Sequence, residues 1–267
     1  MVKAGKSFNI FYTKMIHVTC IVHAFHQVAE QIRGHYSKVD KIIANVKKVF
    51  CKSPYRINCF KEKAPLLSLP PQPIITRWGT WLKAAIYYCD NYELIRDIIT
   101  SFDEKDSISV ENSQKYLSDP DVASNLVYIK SNFGFLPDVI TRLEAKNMPL
   151  SDGIKIIENA YLKLSQTTGS VGKLVQRKLD DVLAKNNGYK TLNIISKILN
   201  GEITSMDGLP EDLKANELLF FKYAPLTSVD VERSFSTYKT LLADNRHSFQ
   251  VENMRKYLVV QCSSKGR

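Results

Sequence analysis

The fold of this chain is best interpreted from one stretch, Ala224-Pro225-Leu226-Thr227-Ser228-Val229-Asp230-Val231-Glu232-Arg233-Ser234-Phe235-Ser236. Thr227 can cap a helix, and Asp230 three residues later gives an aspartate variant of the capping box. The sequence therefore predicts a helix over residues 229–242, after a short extended segment over 220–223. Glu232 falls early in that helix, where an acidic residue is ordinarily a solvated one favoured by the helix dipole.

Outward from this stretch, apolar residues recur at helical spacing and predict a mainly α-helical chain. Gly134 and Pro137 are expected to split one long helical region, and Gly188 and Gly201 are expected to end helices. Alternating apolar residues predict a short strand over 14–20. The other predicted helices span residues 24–33, 39–50, 77–89, 91–101, 109–117, 119–147, 151–165, 171–184, 189–199 and 250–260.

A proline-rich segment divides the chain. Residues 64–73 hold four prolines in ten positions, which predicts an extended connector rather than a helix. The predicted organisation is a strand with basic helices over 1–63, this connector, an α-helical domain over 74–217 and a C-terminal segment over 218–262.

Positive charge is concentrated in the first quarter of the chain. The 267 residues carry a net charge of +10, and residues 1–63 hold 12 Lys and Arg against 3 Asp and Glu. Such a concentration is typical of a surface that faces phosphates, although a solvated basic face without a ligand is the alternative. The candidate DNA contacts in this region are Lys41, Lys47, Lys48 and Lys52.

Composition also limits the cellular setting. No apolar run approaches the roughly 20 residues that span a bilayer, and the first residues lack the apolar core of a signal peptide. The five cysteines are odd in number and widely spaced, which argues against a disulfide framework. We expect a soluble intracellular protein with reduced thiols and no membrane partner.

Two short motifs carry candidate chemistry. Cys20 and His23 form a C-x-x-H pair that could share a zinc ion, but a zinc site needs about four ligands, so a packed cysteine and a hydrogen-bonded histidine are favoured. Arg77 and Trp78 could clamp a phosphate and stack a base, whereas a tryptophan that opens an amphipathic helix is more often core. The remaining zinc ligands would have to come, without regular spacing, from His17, His26, Cys51 or Cys59.

Three blocks together resemble the hAT (hobo/Activator) superfamily of DNA transposases. Residues 14–26 resemble the family's stretch after its second catalytic aspartate. Residues 76–81 resemble the start of the helical domain inserted into its nuclease fold. Residues 224–236 resemble the helix that carries its third metal-binding carboxylate, here Glu232. Each block alone is weak, and the order of all three is what makes the resemblance specific.

The resemblance implies a mainly α fold in which an incomplete RNase H-like (α/β) remnant carries a large inserted helical domain and a C-terminal helical dimerisation segment. It implies that Trp78 stacks where a base is flipped out of the duplex. The residues that match the family motif are Cys20, His23, Glu232, Arg233, Phe235 and Ser236. The residues implied in dimerisation are Phe235, Leu241, Leu242, Val251, Met254 and Leu258.

The family's first two catalytic aspartates have no counterpart here, since residues 1–15 contain no acidic residue. One carboxylate cannot hold the two magnesium ions of such a nuclease, so we expect no strand cleavage by this chain and no cofactor. Met1 resembles an internal methionine of a longer ancestor. If an upstream portion supplied the missing acids, Mg²⁺ and nuclease activity would return.

Three hypotheses remain open at this point. The first is an inactive transposase-derived protein of the nucleus that forms homodimers or higher oligomers and binds DNA weakly and in a salt-sensitive way. The second is a truncated form of an active hAT transposase. The third is a helical protein-interaction scaffold, for which the basic residues of 1–63 would scatter over the surface instead of sharing one face.

Overall fold

The structure, a computed structural model, describes residues 11–74, 77–229, 231, 232, 234, 235, 239 and 250–264. The described part is mainly α-helical, as the sequence predicts. Two 3-10 helices are also present, Glu104–Asp106 and Ala215–Tyr223. The α-helices are α1 (Ile21–His35), α2 (Ser37–Phe50), α3 (Pro54–Lys63), α4 (Trp78–Asp90), α5 (Tyr92–Thr100), α6 (Ile108–Leu117), α7 (Pro120–Phe133), α8 (Leu136–Leu143), α9 (Leu150–Ser165), α10 (Gly169–Ala184), α11 (Asn187–Leu199) and α12 (Val251–Ser264).

Local chemistry explains several helix ends. The Asp119 carboxylate accepts the Asp121 N–H at 3.0 Å and Pro120 opens α7, as expected of an N-cap followed by proline. The region predicted over 119–147 is divided between α7 and α8, on either side of Gly134. Gly201 follows α11 with φ of 73°, the left-handed conformation that glycine adopts without strain.

Three local predictions were wrong. Residues 15–20 form no strand, and the described residues offer no strand with which they could pair. Residues 220–223 belong to a 3-10 helix instead of an extended segment. Gly188 lies inside the first turn of α11 and does not end a helix.

Helix α3 was missed because its sequence carries little helical periodicity. Phe60 is its one residue that is fully withdrawn from solvent. Pro54 at its first turn, where a proline is tolerated, is the signal that could have revealed it.

Helix α1 lies at the centre of the hydrophobic core. It packs against α2, α4, α8 and α10, and of its residues His23, Glu30, Gly34 and His35 are exposed. The core extends without a break from Ile21 to Leu226 and draws residues from each side of the proline-rich connector. The helices of residues 1–63 are therefore packed into the same core as those of 74–217, while the predicted domain boundaries themselves stay predictions.

The segment before α1 is fixed to the start of α11. The Thr19 N–H donates to Asn186 Oδ1 at 3.3 Å, and Asn186 Nδ2 donates to the Thr19 carbonyl at 2.8 Å. At Gly188 the backbones approach so closely that an added Cβ would lie 2.1 Å from the His17 carbonyl oxygen. The backbone before α1 is therefore hydrogen-bonded to the Asn186 side chain, whereas the sequence predicts a strand for this segment.

No helix in the described ranges is long and apolar enough to cross a membrane.

The contact at Gly188 gives a stability prediction. Gly188→Ala forces the chain before α1 away from α11, and we expect the free energy of unfolding to fall by about 1–3 kcal/mol. Gly34→Ala is the matched control, because no atom lies within 4 Å of its added Cβ, and it should stabilise helix α1 by roughly 0.5–1 kcal/mol. Urea unfolding followed by circular dichroism measures both, and equal stability of the two variants would contradict the contact.

Candidate functional site

The N-terminus of α1 is bound directly to the C-terminal sequence block. The Ile21 N–H donates to the Leu226 carbonyl at 3.0 Å, and the Ser228 N–H donates to Cys20 Sγ at 3.3 Å. The first bond satisfies an amide that no residue inside the helix can satisfy. The C-x-x-H block and the block over 224–236 are therefore neighbours in the structure. Cys20 and Ser228, which form this contact, are 208 positions apart in the sequence.

Glu232 is oriented from within this contact. Its N–H donates to the Ser228 carbonyl, and the Ser228 hydroxyl donates to Glu232 Oε1, both at 2.9 Å. A residue four positions earlier therefore holds the carboxylate. Glu232 remains exposed.

The remaining block, residues 76–81, contacts α1 about one turn further along that helix. Gly79, in the first turn of α4, donates its N–H to His26 Nδ1 at 3.3 Å. Both residues are buried, and a Cβ on Gly79 would lie 2.8 Å from Ile140 Cδ1. His26 thus completes the hydrogen bonding of the start of α4, where backbone N–H groups lack partners within the helix.

The pKa of His26 depends on charged residues from all three blocks. Burial lowers the pKa of His26 below its usual 6.5, the positive charges of His23 and Arg77 lower it further, and the negative charge of Glu232 opposes them. The imidazole is therefore neutral at physiological pH, which is the form whose Nδ1 can accept the Gly79 N–H. We call the group His23, His26, Arg77, Gly79 and Glu232 the junction.

The charges of Arg77, His23 and Glu232 all act on the buried, neutral His26. Arg77 and His23 are exposed and can contact an anion from solvent; the guanidinium can bind a phosphate through two parallel hydrogen bonds. Glu232 is the acidic residue of this group. A single carboxylate does not provide the ligand set of a two-metal nuclease.

Trp78 lies beside the junction, in a network with a second tryptophan. The guanidinium of Arg33 covers the Trp78 ring with its carbon 4.6 Å from the ring centroid. Arg33 also binds Asp40 through two hydrogen bonds, of 2.7 and 2.9 Å, and the buried Trp81 donates its indole N–H to the same carboxylate at 2.9 Å. Trp78 is half-buried, and Arg33 already covers a face of its ring.

The candidate lysines do not share one face. Lys41 and Lys48, seven residues apart, lie on one side of α2, where the Lys41 ammonium is 5.6 Å from the centre of the Tyr116 ring. Lys47 lies seven residues after Asp40 and therefore on the side that faces α4. Lys52 follows α2 with a left-handed φ of 58°. The structure brings Arg77 to the junction and distributes the lysines elsewhere along α2.

Cys20 of the C-x-x-H pair is engaged by a protein group, whereas His23 is exposed. Cys20 Sγ accepts a backbone N–H, as expected of a packed cysteine. Within the part of the chain that the structure describes, no three or more His, Cys, Asp or Glu residues are grouped so that they could hold a metal ion.

The dimerisation residues are described in part. Phe235 is 61% exposed and Met254 is half-buried. Val251 and Leu258 belong to α12, but their side chains are outside the described part. The remaining motif and dimerisation residues, Arg233, Ser236, Leu241 and Leu242, lie outside the described residues.

Sequence reasoning considered His26 only as a possible zinc ligand and did not consider Arg33 or Asp40. His26 follows His23 by three residues, which places the two imidazoles on neighbouring turns of one helix. That spacing is the signal that could have identified it. The stacking of Arg33 on Trp78 had no such signal, since it joins residues 45 positions apart by their numbering.

Comparison of this chain with protein-family models, with curated proteins and with solved structures found no match. The three blocks and the junction that they form are therefore the basis for any functional proposal.

The His26–Gly79 hydrogen bond predicts a pH dependence of stability. Because the folded-state pKa of His26 is below 6.5, the unfolded chain binds more protons in the window just under that value. The stabilising contribution is complete above about pH 6.5 and is lost as the pH falls toward the folded-state pKa. Thermal unfolding between about pH 7.5 and 5 measures the slope.

His26→Gln should flatten that slope, because the amide side chain does not titrate in this range. His35→Gln is the matched control, since His35 is exposed at the end of the same helix, and it should leave most of the slope in place. An unchanged slope in His26→Gln would show that other groups cause the pH dependence.

Proposed function

We propose that this chain is derived from a hAT transposase, that it binds the backbone of DNA without sequence preference, and that it associates with itself. The observation that carries the proposal is the junction. Three blocks that resemble successive parts of one nuclease fold, separated by 50 to 150 positions, meet through direct hydrogen bonds and through the shared electrostatics of His26.

In this proposal α1 and α2 are the helical part of an RNase H-like remnant, and α4–α11 are the inserted helical domain. The remnant is expected to lack nuclease activity, because Glu232 stands alone where the family has three carboxylates. Mg²⁺ is accordingly not required by the chain, and a nuclear location follows from a DNA partner.

DNA would approach the exposed side of the junction. Arg77 would supply a charge-assisted contact to phosphate, and the ring of the half-buried Trp78 would supply a stacking surface for an unpaired base. Both lie at the start of α4, where the helix dipole also favours an anion. Lys41 and Lys48 would add contacts only to a duplex long enough to reach the other side of α2.

Arg77→Gln should weaken DNA binding at every sequence tested and should reduce the slope of log affinity against log salt by about 1. Fluorescence anisotropy with a labelled duplex, at salt concentrations from about 50 to 200 mM, measures that slope. Arg177→Gln is the matched control, because Arg177 is an exposed arginine on α10 that belongs to none of the three blocks. Equal losses in the two variants would mean that net charge, and not the junction, determines binding.

Self-association is proposed through the C-terminal segment, where Val231, Phe235, Val259 and Val260 are each more than half exposed. Phe235→Glu should shift the protein from dimer or higher oligomer toward monomer, because a charge cannot be buried unpaired in an apolar contact. Light scattering after size-exclusion chromatography measures the mass. Phe11→Glu alters another exposed phenylalanine and should leave the mass unchanged; a monomeric wild type would refute the proposal.

The distribution of basic residues favours a second candidate function, a helical protein-interaction scaffold. Lys14, Arg33, Lys38 and Arg56 each form an ion pair with an acidic residue, and the lysines of α2 occupy different sides. A basic region that is partly neutralised and scattered has less charge to direct at DNA. If the wild-type chain shows no salt-dependent affinity for DNA, the scaffold becomes the better account.

A further inference from the structure

Basic side chains line a cavity of about 530 Å³ between the end of α8 and the first half of α9. Its volume is in the range of small-molecule sites. Three basic residues, one acidic residue and two apolar residues among its lining carry the argument, and they are Arg142, Lys146, Lys155, Asp152, Met148 and Ile156. We call it the α8–α9 cavity.

The positive charge reaches this cavity from more than one element. Arg142 lies in the last turn of α8, Lys146 lies in the turn that follows, and Lys155 lies on α9. Asp152, Lys155 and Ile156 have the spacing i, i+3 and i+4, so they share one face of α9. Cations on separate walls can contact one anion from several directions.

The charges of Arg142 and Lys155 are only weakly neutralised. Arg142 Nη1 lies 3.9 Å from Asp138 Oδ2, and both side chains are well exposed, so this pair contributes little. Lys155 is exposed and forms no ion pair within the part of the chain that the structure describes. Asp152 lies in the first turn of α9, where the helix dipole favours a carboxylate. The lining as a whole therefore favours an anion.

The apolar part of the cavity is fixed by the protein core. A Cβ added to Gly153 would lie 2.8 Å from Leu226 Cδ1 and 3.4 Å from Met148 Sδ, so the C-terminal sequence block packs against the start of α9. Leu226 and Ile156 are buried, and Met148 is half-buried. Because these side chains are already packed, binding a ligand over them costs little ordering entropy.

We propose that the α8–α9 cavity binds a small organic phosphate ester. The phosphoryl oxygens would accept hydrogen bonds from Arg142, Lys146 and Lys155, because guanidinium and ammonium groups form charge-assisted hydrogen bonds to phosphate. The carbon skeleton of the ligand would lie on Met148 and Ile156. This inference goes beyond the DNA-binding proposal, since none of the residues that line the cavity belongs to the junction.

Phenyl phosphate and methyl phosphate provide the test, because both are dianions above about pH 7 and they differ in their carbon skeleton. In NMR titrations of the ¹⁵N-labelled chain, phenyl phosphate should shift the amides of residues 142–159 and should bind roughly threefold or more tightly than methyl phosphate. Equal affinities, or shifts confined to other regions such as that around Arg77, would overturn the proposal.

Variants test the basic residues. Arg142→Gln and Lys155→Gln should each weaken phenyl phosphate binding roughly two- to fivefold. Lys173→Gln makes the same change of charge at an exposed lysine of α10 that does not line the cavity, and its affinity should equal that of the wild type. Equal weakening in all three variants would mean that net charge alone attracts the ester, and would overturn the proposal. All three residues except Lys173 line the cavity from exposed positions, and circular dichroism checks that each variant folds.

Two further measurements separate this site from the DNA-binding proposal. Arg77→Gln should bind phenyl phosphate as the wild type does, even where it weakens DNA binding. A short DNA duplex that shifts the amides of 142–159, in a chain that does not bind phenyl phosphate there, would assign the cavity to DNA and overturn the proposal of a small ester.

Discussion

The burial of helix α1 on several sides is the constraint on which the rest of the structure depends. A helix with so few exposed positions requires neighbours in several directions, and α2, α4, α8 and α10 supply them. Ile21, Phe25, Val28, Ala29 and Ile32 are fully withdrawn from solvent, so the apolar surface that they bury holds the flanking helices together. The buried Ile21 and Gly79, in the first turns of α1 and α4, must then find hydrogen-bond partners for their N–H groups within the protein.

Those partners create the junction. The Leu226 carbonyl satisfies the first amide of α1, and His26 satisfies an amide of α4. The same bonds therefore connect the segments that carry Arg77, His23 and Glu232, each of which is exposed. His26 has a structural role here, because its neutral, buried imidazole accepts the Gly79 N–H.

Sequence reasoning predicted most helices and their approximate bounds, because α2, α5, α8 and α9 carry apolar residues at clear helical spacing. It failed where a tertiary contact decides the local structure. Residues 15–20 alternate like a strand, yet Asn186 takes the hydrogen bonds that a neighbouring strand would have taken. Gly188 looked like a helix terminator because its actual reason, the approach of the His17 carbonyl, involves a residue 171 positions earlier by their numbering. The site was predicted as separate residues, and only their convergence through His26 required the structure.

The central claim is that the three blocks form one DNA-facing surface. Hydrogen–deuterium exchange of the chain with and without a short DNA duplex tests it most directly, because backbone amides report each block separately. The account predicts that DNA slows exchange together in peptides covering residues 20–27, 77–82 and 226–232, with little change over 157–162. Protection confined to the lysines of α2, or no protection in any of the three blocks at low salt, would contradict it.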